Sequence, residues 1–491
     1  MAKYIVPGIY VNELDMSFSP QPVPVDAPYT LVFIVSKWGP KGQFVKVDTF
    51  NEFVNKFGVP EYDPNAKFTM AWDAAFKIIS QGLSKLIVYA LNDDATEAIL
   101  DDVNYASDIL IKYSGSYGNQ IAVSYETTTR GSKTIHTLVV YKLTSGTDIE
   151  LDSSGNPVNL TVLETFSAEN KTDLRVKVNE KSNFITLSAT FDTNTSPFNA
   201  TLFVGGTDGN MTGVGDADVV NAIGDPKFLS RTEIPVRYIM TARALGPTAV
   251  GSLAQIAAGS YRKDFFIVAD FEEANLDVDS MITARNNYPS DIPGSYVALF
   301  GPHIYDTTVD GTRIEYPASY FALAARLSQT SSFGYPWAIV AGVNKGNLSG
   351  EPVKVLTKDE QDDLYDNNIN PIIRFSNKTL IWGNKTLGRK GSALEYIHAR
   401  EATIYIEMNC LQASKSFQFE IYTPAIKSLL EQTYNRILSI VKSNNGVYDF
   451  KIQIDDTVLL QENGPLQVNV AFAPVRSLEY ITLNFIIENN I

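Results

Sequence analysis

Tyr448-Asp-Phe-Lys-Ile-Gln-Ile454, then Leu466-Gln-Val-Asn-Val-Ala-Phe472, then Ile481-Thr-Leu-Asn-Phe-Ile-Ile487 decide how the chain is read. In each piece, large apolar residues alternate with polar or small ones, Ile486 being the exception. A period of two puts one set of side chains on a buried face, so the spacing predicts three strands. Asp455-Asp456 and Asn463-Gly464-Pro465 mark the turns. A sheet that finishes at the last residues is expected to leave an edge, and an unpaired edge is a template for another chain.

Just upstream lies a well-marked helix. Thr423 reads as its cap, Pro424 as its first residue and Gly446 as its stop. Ile426, Leu429, Leu430, Tyr434, Ile437, Leu438 and Val441 form its apolar stripe, with Lys427, Glu431, Arg436 and Lys442 facing away. Before it, Ile397, Ile404, Met408 and Leu411 fall on one helical face, and Asp359–Tyr365 and Ile372–Phe375 read as a short helix and a strand.

At the other end, residues 1–28 have no helical period. Pro20, Pro22, Pro24 and Pro28 keep the segment extended, so it reads as an arm whose Ile9-Tyr10-Val11 needs a surface to pair with. An α/β pattern follows. Leu31–Val35 and Leu86–Ala90 are buried-strand runs, and Phe50, Phe53, Val54 and Phe57 have helical spacing ended by Gly58. Met70–Ser80 is a second helix. Residues 97–204 are richer in Thr, Ser and Asn and carry short alternating runs at Ile121–Tyr125, Thr137–Leu143, Asn159–Leu163, Leu174–Val178 and Phe184–Ala189. These predict an all-β, solvent-exposed insertion. After Gly205-Gly-Thr-Asp-Gly209 the α/β pattern resumes, with strands at Phe265–Ala269 and Tyr296–Phe300 and a helix at Ala318–Leu327. The expected class is therefore α+β multidomain. It has an arm (1–28), a discontinuous α/β middle domain (29–96 plus 205–345), an all-β protruding insertion (97–204) and a C-terminal α/β domain (346–491).

A chain of 491 residues exceeds one ordinary core, and 44% hydrophobic with 19% charged residues is a globular composition. No apolar run is long enough to span a bilayer, and the first residues lack the apolar core of a signal peptide, so assembly in the cytosol without membrane insertion is expected. The net charge of −15 is unevenly spread. Residues 371–491 hold 12 Lys+Arg and 11 Asp+Glu, net +1, which leaves 28 and 44, net −16, for the first 370. Arg374, Lys378, Lys385, Arg389, Lys390 and Arg400 stand against Glu395 alone between 371 and 400. An acidic body with one basic segment fits a surface that faces an acidic protein. Without a long basic stripe interleaved with aromatics, direct nucleic-acid binding is not expected.

Catalytic patterns are missing. Gly383-Asn-Lys-Thr386 lacks the glycine and the Gly-Lys order of a phosphate loop, and there is no G-x-S-x-G or H-E-x-x-H. His136, His303 and His398 are far apart in differently patterned regions, and Cys410, the single cysteine, falls on the apolar side of a helix. Asp270, Glu272, Glu273, Asp277 and Asp279 lack the spacing of a calcium loop. The chain is expected to be no enzyme and to hold no metal or cofactor.

Seven short stretches, in order along nearly the whole chain, resemble contractile tail sheath proteins of bacteriophages, in pattern those of T4-like myophages. Pro7-Gly-Ile-Tyr-Val-Asn-Glu13 is similar to the family's P-G-V/I-x-V/L-x-E, and Phe50-Asn-Glu-Phe-Val-Asn-Lys-Phe-Gly58 to its F-x-x-F-x-x-x-F-G. Tyr113-Ser-Gly-Ser-Tyr-Gly-Asn119 resembles the P-G-x-x-G-N turn, with Ser114 in place of proline, and Gly205–Gly209 the G-G-x-D-G return. Leu364-Tyr365 to Asn370-Pro371-Ile372, Leu380-Ile-Trp-Gly-Asn-Lys-Thr-Leu387 and Pro474–Phe485 resemble the remaining three. Where the family has R-R-L-F, this chain has Arg400-Glu-Ala-Thr403.

The resemblance implies a sheath subunit that stacks as hexameric rings around a tail tube and contracts to drive the tube through the host envelope on stored conformational energy. Its partners would be further copies of itself, the tube protein, and baseplate and tail terminator proteins. Its place would be the virion tail, after assembly in the host cytoplasm. Both termini are implied to add strands to neighbouring subunits: Ile5, Gly8, Ile9, Tyr10, Val11 and Glu13 at one end, Tyr480, Ile481, Leu483, Phe485 and Ile487 at the other. The six cations from Arg374 to Arg400 are candidates to face the tube. The alternatives are the sheath of a non-viral contractile machine such as a tailocin, and a β-rich surface- or glycan-binding protein that recognises its ligand through 97–204.

Overall fold

The computed structural model describes residues 29–479, apart from 155, 274, 275 and 463, together with residue 482. The arm at 1–28 and the strand expected at 481–487, with all eleven strand-exchange candidates, lie outside the described residues.

The run Tyr29–Ile34 is an interior strand of a nine-stranded sheet, and its last five side chains are fully buried. Continuous burial is what a parallel strand covered on both faces requires. Across the sheet the order is Asn347–Leu348, Lys378–Ile381, Ile369–Phe375, Val297–Gly301, Phe266–Ala269, Val236–Met240, Tyr29–Ile34, Lys85–Ala90 and Phe44–Val47. The six strands from Ile369–Phe375 to Lys85–Ala90 run parallel, and antiparallel strands close both sides. The helix Phe50–Phe57 starts where the Thr49 side chain accepts the Glu52 N–H, and it ends at Gly58, whose φ of +77° suits glycine. Phe68–Ser80 and Ala318–Phe333 are longer helices with extensively buried faces.

Residues 99–204 build a five-stranded sheet in the order Ile99–Leu100, Phe198–Val204, Ile121–Arg130, Lys133–Leu143, Leu160–Ala168, antiparallel throughout. The region is not all-β. The expected strand Leu174–Val178 lies inside a helix, Lys171–Lys181. The Asn170 side chain caps it by accepting the Asp173 N–H at 2.8 Å, and Leu174 and Val178, four residues apart, turn inward together. Tyr125, Leu138, Phe191 and Phe203 pack with them, and Trp38 joins this core from outside the region.

The chain leaves the large sheet and comes back to it at a bridge between Thr96 and Thr207. Two sequence motifs meet there. Asp208 accepts from the Ser116 N–H and hydroxyl at 2.7 and 2.8 Å, and Asn119 exchanges side-chain hydrogen bonds with Gly206. A Cβ on Gly206 would stand 2.6 Å from the Gly115 carbonyl oxygen, so the close approach needs glycine.

Compactness divides the chain at Arg400 and Glu401, not at 346 as the pattern predicted. The reason is hydrogen bonding. Ile369–Phe375 pairs in parallel with Val297–Gly301, and Lys378–Ile381 and Asn347–Leu348 follow it into the large sheet.

Candidate subunit interface

The unit beyond residue 400 is organised by the helix Pro424–Ser443. The Thr423 hydroxyl accepts the Ile426 N–H, and Pro424 occupies the first turn, where its missing donor costs nothing. At the other end Asn445, not Gly446, takes the left-handed conformation (φ +56°), and the Gly446 N–H closes on the Val441 carbonyl at 2.8 Å. Leu430, Thr433, Tyr434, Ile437, Leu438 and Val441 are buried along one side. In the preceding helix, Ile397–Lys415, the expected single apolar face is incomplete: Ile397 and Ile404 are buried, while Leu411 is exposed.

Val447–Asp455 and Gln467–Pro474 form an antiparallel pair in register Phe450↔Phe472, Ile452↔Val470 and Ile454↔Val468. The inward set Ile452, Ile454, Leu466, Val468 and Val470 packs on Ala413, Leu430, Tyr434 and Ile437. The outward set Lys451, Gln453, Asn469 and Ala471 is exposed. The connection is more than a turn, since Thr457–Glu462 is helical. Asp456 anchors it, accepting from the Tyr422 hydroxyl at 2.7 Å and from Lys427 at 3.0 Å. These two hydrogen bonds hold its carboxyl below the usual carboxylate range. The sequence marked Asp456 only as a turn residue, because both partners sit about thirty positions upstream.

Two features make this hairpin a candidate interface. Among the described residues it is a two-stranded sheet, so each strand has an outer edge of main-chain N–H and C=O groups with no partner strand. Its inward apolar residues are also only half buried, so the layer on the helix is incomplete. A two-stranded sheet is marginal alone and gains from further strands.

The basic segment is not one surface. Arg374 is exposed and pairs with Glu351 at 2.8 Å, and Lys378 is exposed beside the left-handed Ser376-Asn377 turn. Lys390 pairs with Asp366 at 2.7 Å, and Arg389 is exposed. Two of the six candidates are buried in the structure. Lys385 is 8% exposed, 3.4 Å from Glu395, and lies over the Tyr365 ring. The Asn370 amide fixes this inward course by bonding both the N–H and the C=O of Lys385. Arg400 is 5% exposed, donates to Ser295 at 2.6 Å and lies over the Tyr296 ring.

The remaining chemical candidates have structural surroundings. His136 meets the Tyr125 hydroxyl at 2.6 Å, His303 accepts the Ala318 N–H, and His398 bonds the Asn384 amide. Asp270 is buried and accepts from Thr241 and from the Arg243 and Ser319 N–H groups. Burial pushes the Cys410 thiol up to about 12. Among the described residues no group of three or more His, Cys, Asp or Glu could hold a metal ion.

The architecture has close counterparts. The sheath tail protein of Listeria innocua superposes with a TM-score of 0.63 at 15% identity, covering 92% of this chain and 93% of that one. That of Desulfitobacterium hafniense gives 0.59 at 14% identity over 96% and 98%. The fold is that of a tail sheath protein. The same fold occurs in the contracted sheath complex of an extracellular contractile injection system, with a TM-score of 0.54 at 14% identity over 100% and 99%. In sequence, the chain is 27% identical over 175 residues to the tail sheath protein of Vibrio phage KVP40 and 27% identical over 224 residues to that of Enterobacteria phage T4. These alignments cover 33% and 43% of this chain but only 25% and 34% of the two phage proteins. No family model matches the chain.

Proposed function

We propose that this protein is the structural subunit of a contractile tail sheath. It polymerises as stacked hexameric rings around a tail tube and contracts to drive the tube through a host envelope. The half-buried sheet at Val447–Pro474, two-stranded among the described residues, supports the reading, because a sheet with open edges gains pairing and cover when strands from neighbouring copies are added. Residues 5–13 and 479–488 are the donors: Ile5, Ile9, Tyr10 and Val11 at one end and Ile481, Leu483, Phe485 and Ile487 at the other have the composition of such strands. Arg374, Lys378, Arg389 and Lys390 are the members of the basic segment left to face the tube, since Lys385 and Arg400 are buried. The baseplate and a tail terminator are its further partners, the five-stranded sheet of 99–204 is a protruding module, and assembly takes place in the host cytoplasm. Free energy is stored by assembly in a form with fewer contacts and released as subunits repack.

Removing residues 1–13 tests this. The deletion is expected to leave a folded chain with an unchanged melting profile and no hollow sheath polymers in negative-stain electron micrographs, where the full chain forms them. Normal sheaths from the deletion would overturn strand donation by that arm.

A further inference from the structure

Residues 97–204 join the large sheet through two crossing segments, bridged at Thr96 and Thr207, with Gly205, Gly206 and Gly209 beside the crossing. A region attached in this way is free by default to swing about its neck. Here a third segment also crosses. Residues 36–41 form the loop between the strands Tyr29–Ile34 and Phe44–Val47 of the large sheet, and they reach into the inserted region.

Trp38 is the centre of this contact. It is 1% exposed, and its ring centroid lies 5.4 Å from those of Tyr113 and Tyr117 and 6.1 Å from that of Phe184, inside the core of the inserted region. Its Nε1 donates the other way, to the Asn55 carbonyl of the helix Phe50–Phe57, at 3.1 Å. One side chain is thus shared by two folded regions. The neighbouring residues are equally committed. The Lys37 carbonyl accepts the Tyr117 N–H at 3.2 Å, and Lys41 Nζ donates to the Ser114 carbonyl at 2.9 Å. The Ser36 main chain exchanges two hydrogen bonds with the buried Asn92 amide, whose Nδ2 also reaches the Asp208 carbonyl at 2.7 Å. Two glycines allow the close approach. A Cβ on Gly39 would stand 1.9 Å from the Lys56 carbonyl oxygen and one on Gly115 2.0 Å from that of Lys37, and both glycines have positive φ.

We infer that residues 36–41 are a key that locks 97–204 to the large sheet, so that the two open and move as one body and the neck does not act as a hinge. The physical argument is cooperativity. A side chain shared by two regions ties the opening of one to the other, and an indole withdrawn from a close-packed core leaves a large cavity. A swing at Thr96 and Thr207 would have to pull Trp38 away from three aromatic neighbours or break its bond to Asn55, together with the bonds at Ser114 and Tyr117. Whatever the inserted region touches is therefore placed by the large sheet. That counts against a recognition module that reorients to meet its ligand. The inference stands apart from the sheath reading and needs no polymer to test it.

The experiment is hydrogen exchange on the full chain, read by peptide mass in rising denaturant. In the wild type, peptides covering 121–143 are expected to share the opening free energy and denaturant slope of those covering 236–240 and 266–269 in the large sheet. In Trp38→Ala the two sets are expected to part, with 121–143 losing protection about a hundredfold while the sheet peptides keep theirs. Trp38→Phe keeps a ring in place without the N–H donor, and is expected to shift 121–143 the same way by about fivefold. A wild-type inserted region that opens by itself, with a smaller slope than the sheet, overturns the inference. Equal loss in both sets from Trp38→Ala, or no loss, overturns it too, and Trp38→Phe is judged in the same way if the alanine variant does not fold.

Discussion

Asp310 illustrates what single residues do here. Its carboxylate accepts from the Thr308 hydroxyl and from the main-chain N–H groups of Tyr62 and Thr312 at 2.9 and 3.1 Å, tying a loop to a segment almost 250 positions away. Desolvation alone would raise its pKa, but the hydrogen bonds outweigh it and hold the group down to about 2. The unfolded value is about 3.9, so the folded state binds the proton more weakly. The stabilisation is therefore complete above about pH 4 and is lost as pH falls from there towards 2. In thermal melts the wild type is expected to lose melting temperature between pH 4 and pH 2 more steeply than Asp310→Asn, and parallel slopes would show that the group is not so held. Side-chain direction was the least legible part of the sequence. Lys385 and Arg400 read as exposed cations, but Asn370, Glu395 and Ser295 draw them inward, and Ser295 is 105 positions from Arg400. No local pattern records such partners.

Secondary structure was readable where the pattern has one period. Phe450, Ile452 and Ile454 against Val468, Val470 and Phe472 alternate strictly, and each pairs in the register that alternation requires. Leu174, Val176 and Val178 fit two periods at once, since positions two apart read as a strand and positions four apart as a helix turn. The cap decides between them. Asn170 holds the Asp173 N–H, Val176 is left exposed, and the segment is helical. Replacing Asn170 by alanine removes that acceptor and is expected to lower stability by about 1 kcal/mol, read as a lower denaturation midpoint with unchanged slope. A midpoint equal to that of the wild type would mean that packing of Leu174 and Val178 alone fixes the helix.

For the whole molecule, the sequence conveyed the order of α/β and β-rich regions better than their boundaries. Ile369–Phe375 is a strand by pattern, but its partner Val297–Gly301 lies some seventy residues upstream, so nothing near 346 could reveal that the large sheet continues past it. In the sheath reading proposed above, the work comes from surfaces that repack as subunits move. At about 25 cal/mol per Å² of apolar area, 400 Å² of extra burial per subunit releases about 10 kcal/mol, and a helical polymer multiplies this by its subunit number. Polymer formation and any later shortening are therefore expected to be unchanged by EDTA and by a nucleotide-hydrolysing enzyme, with polymer length and diameter compared by electron microscopy. Stored conformational energy would be the wrong account if polymers failed to form or to shorten until a nucleotide and a divalent cation were restored.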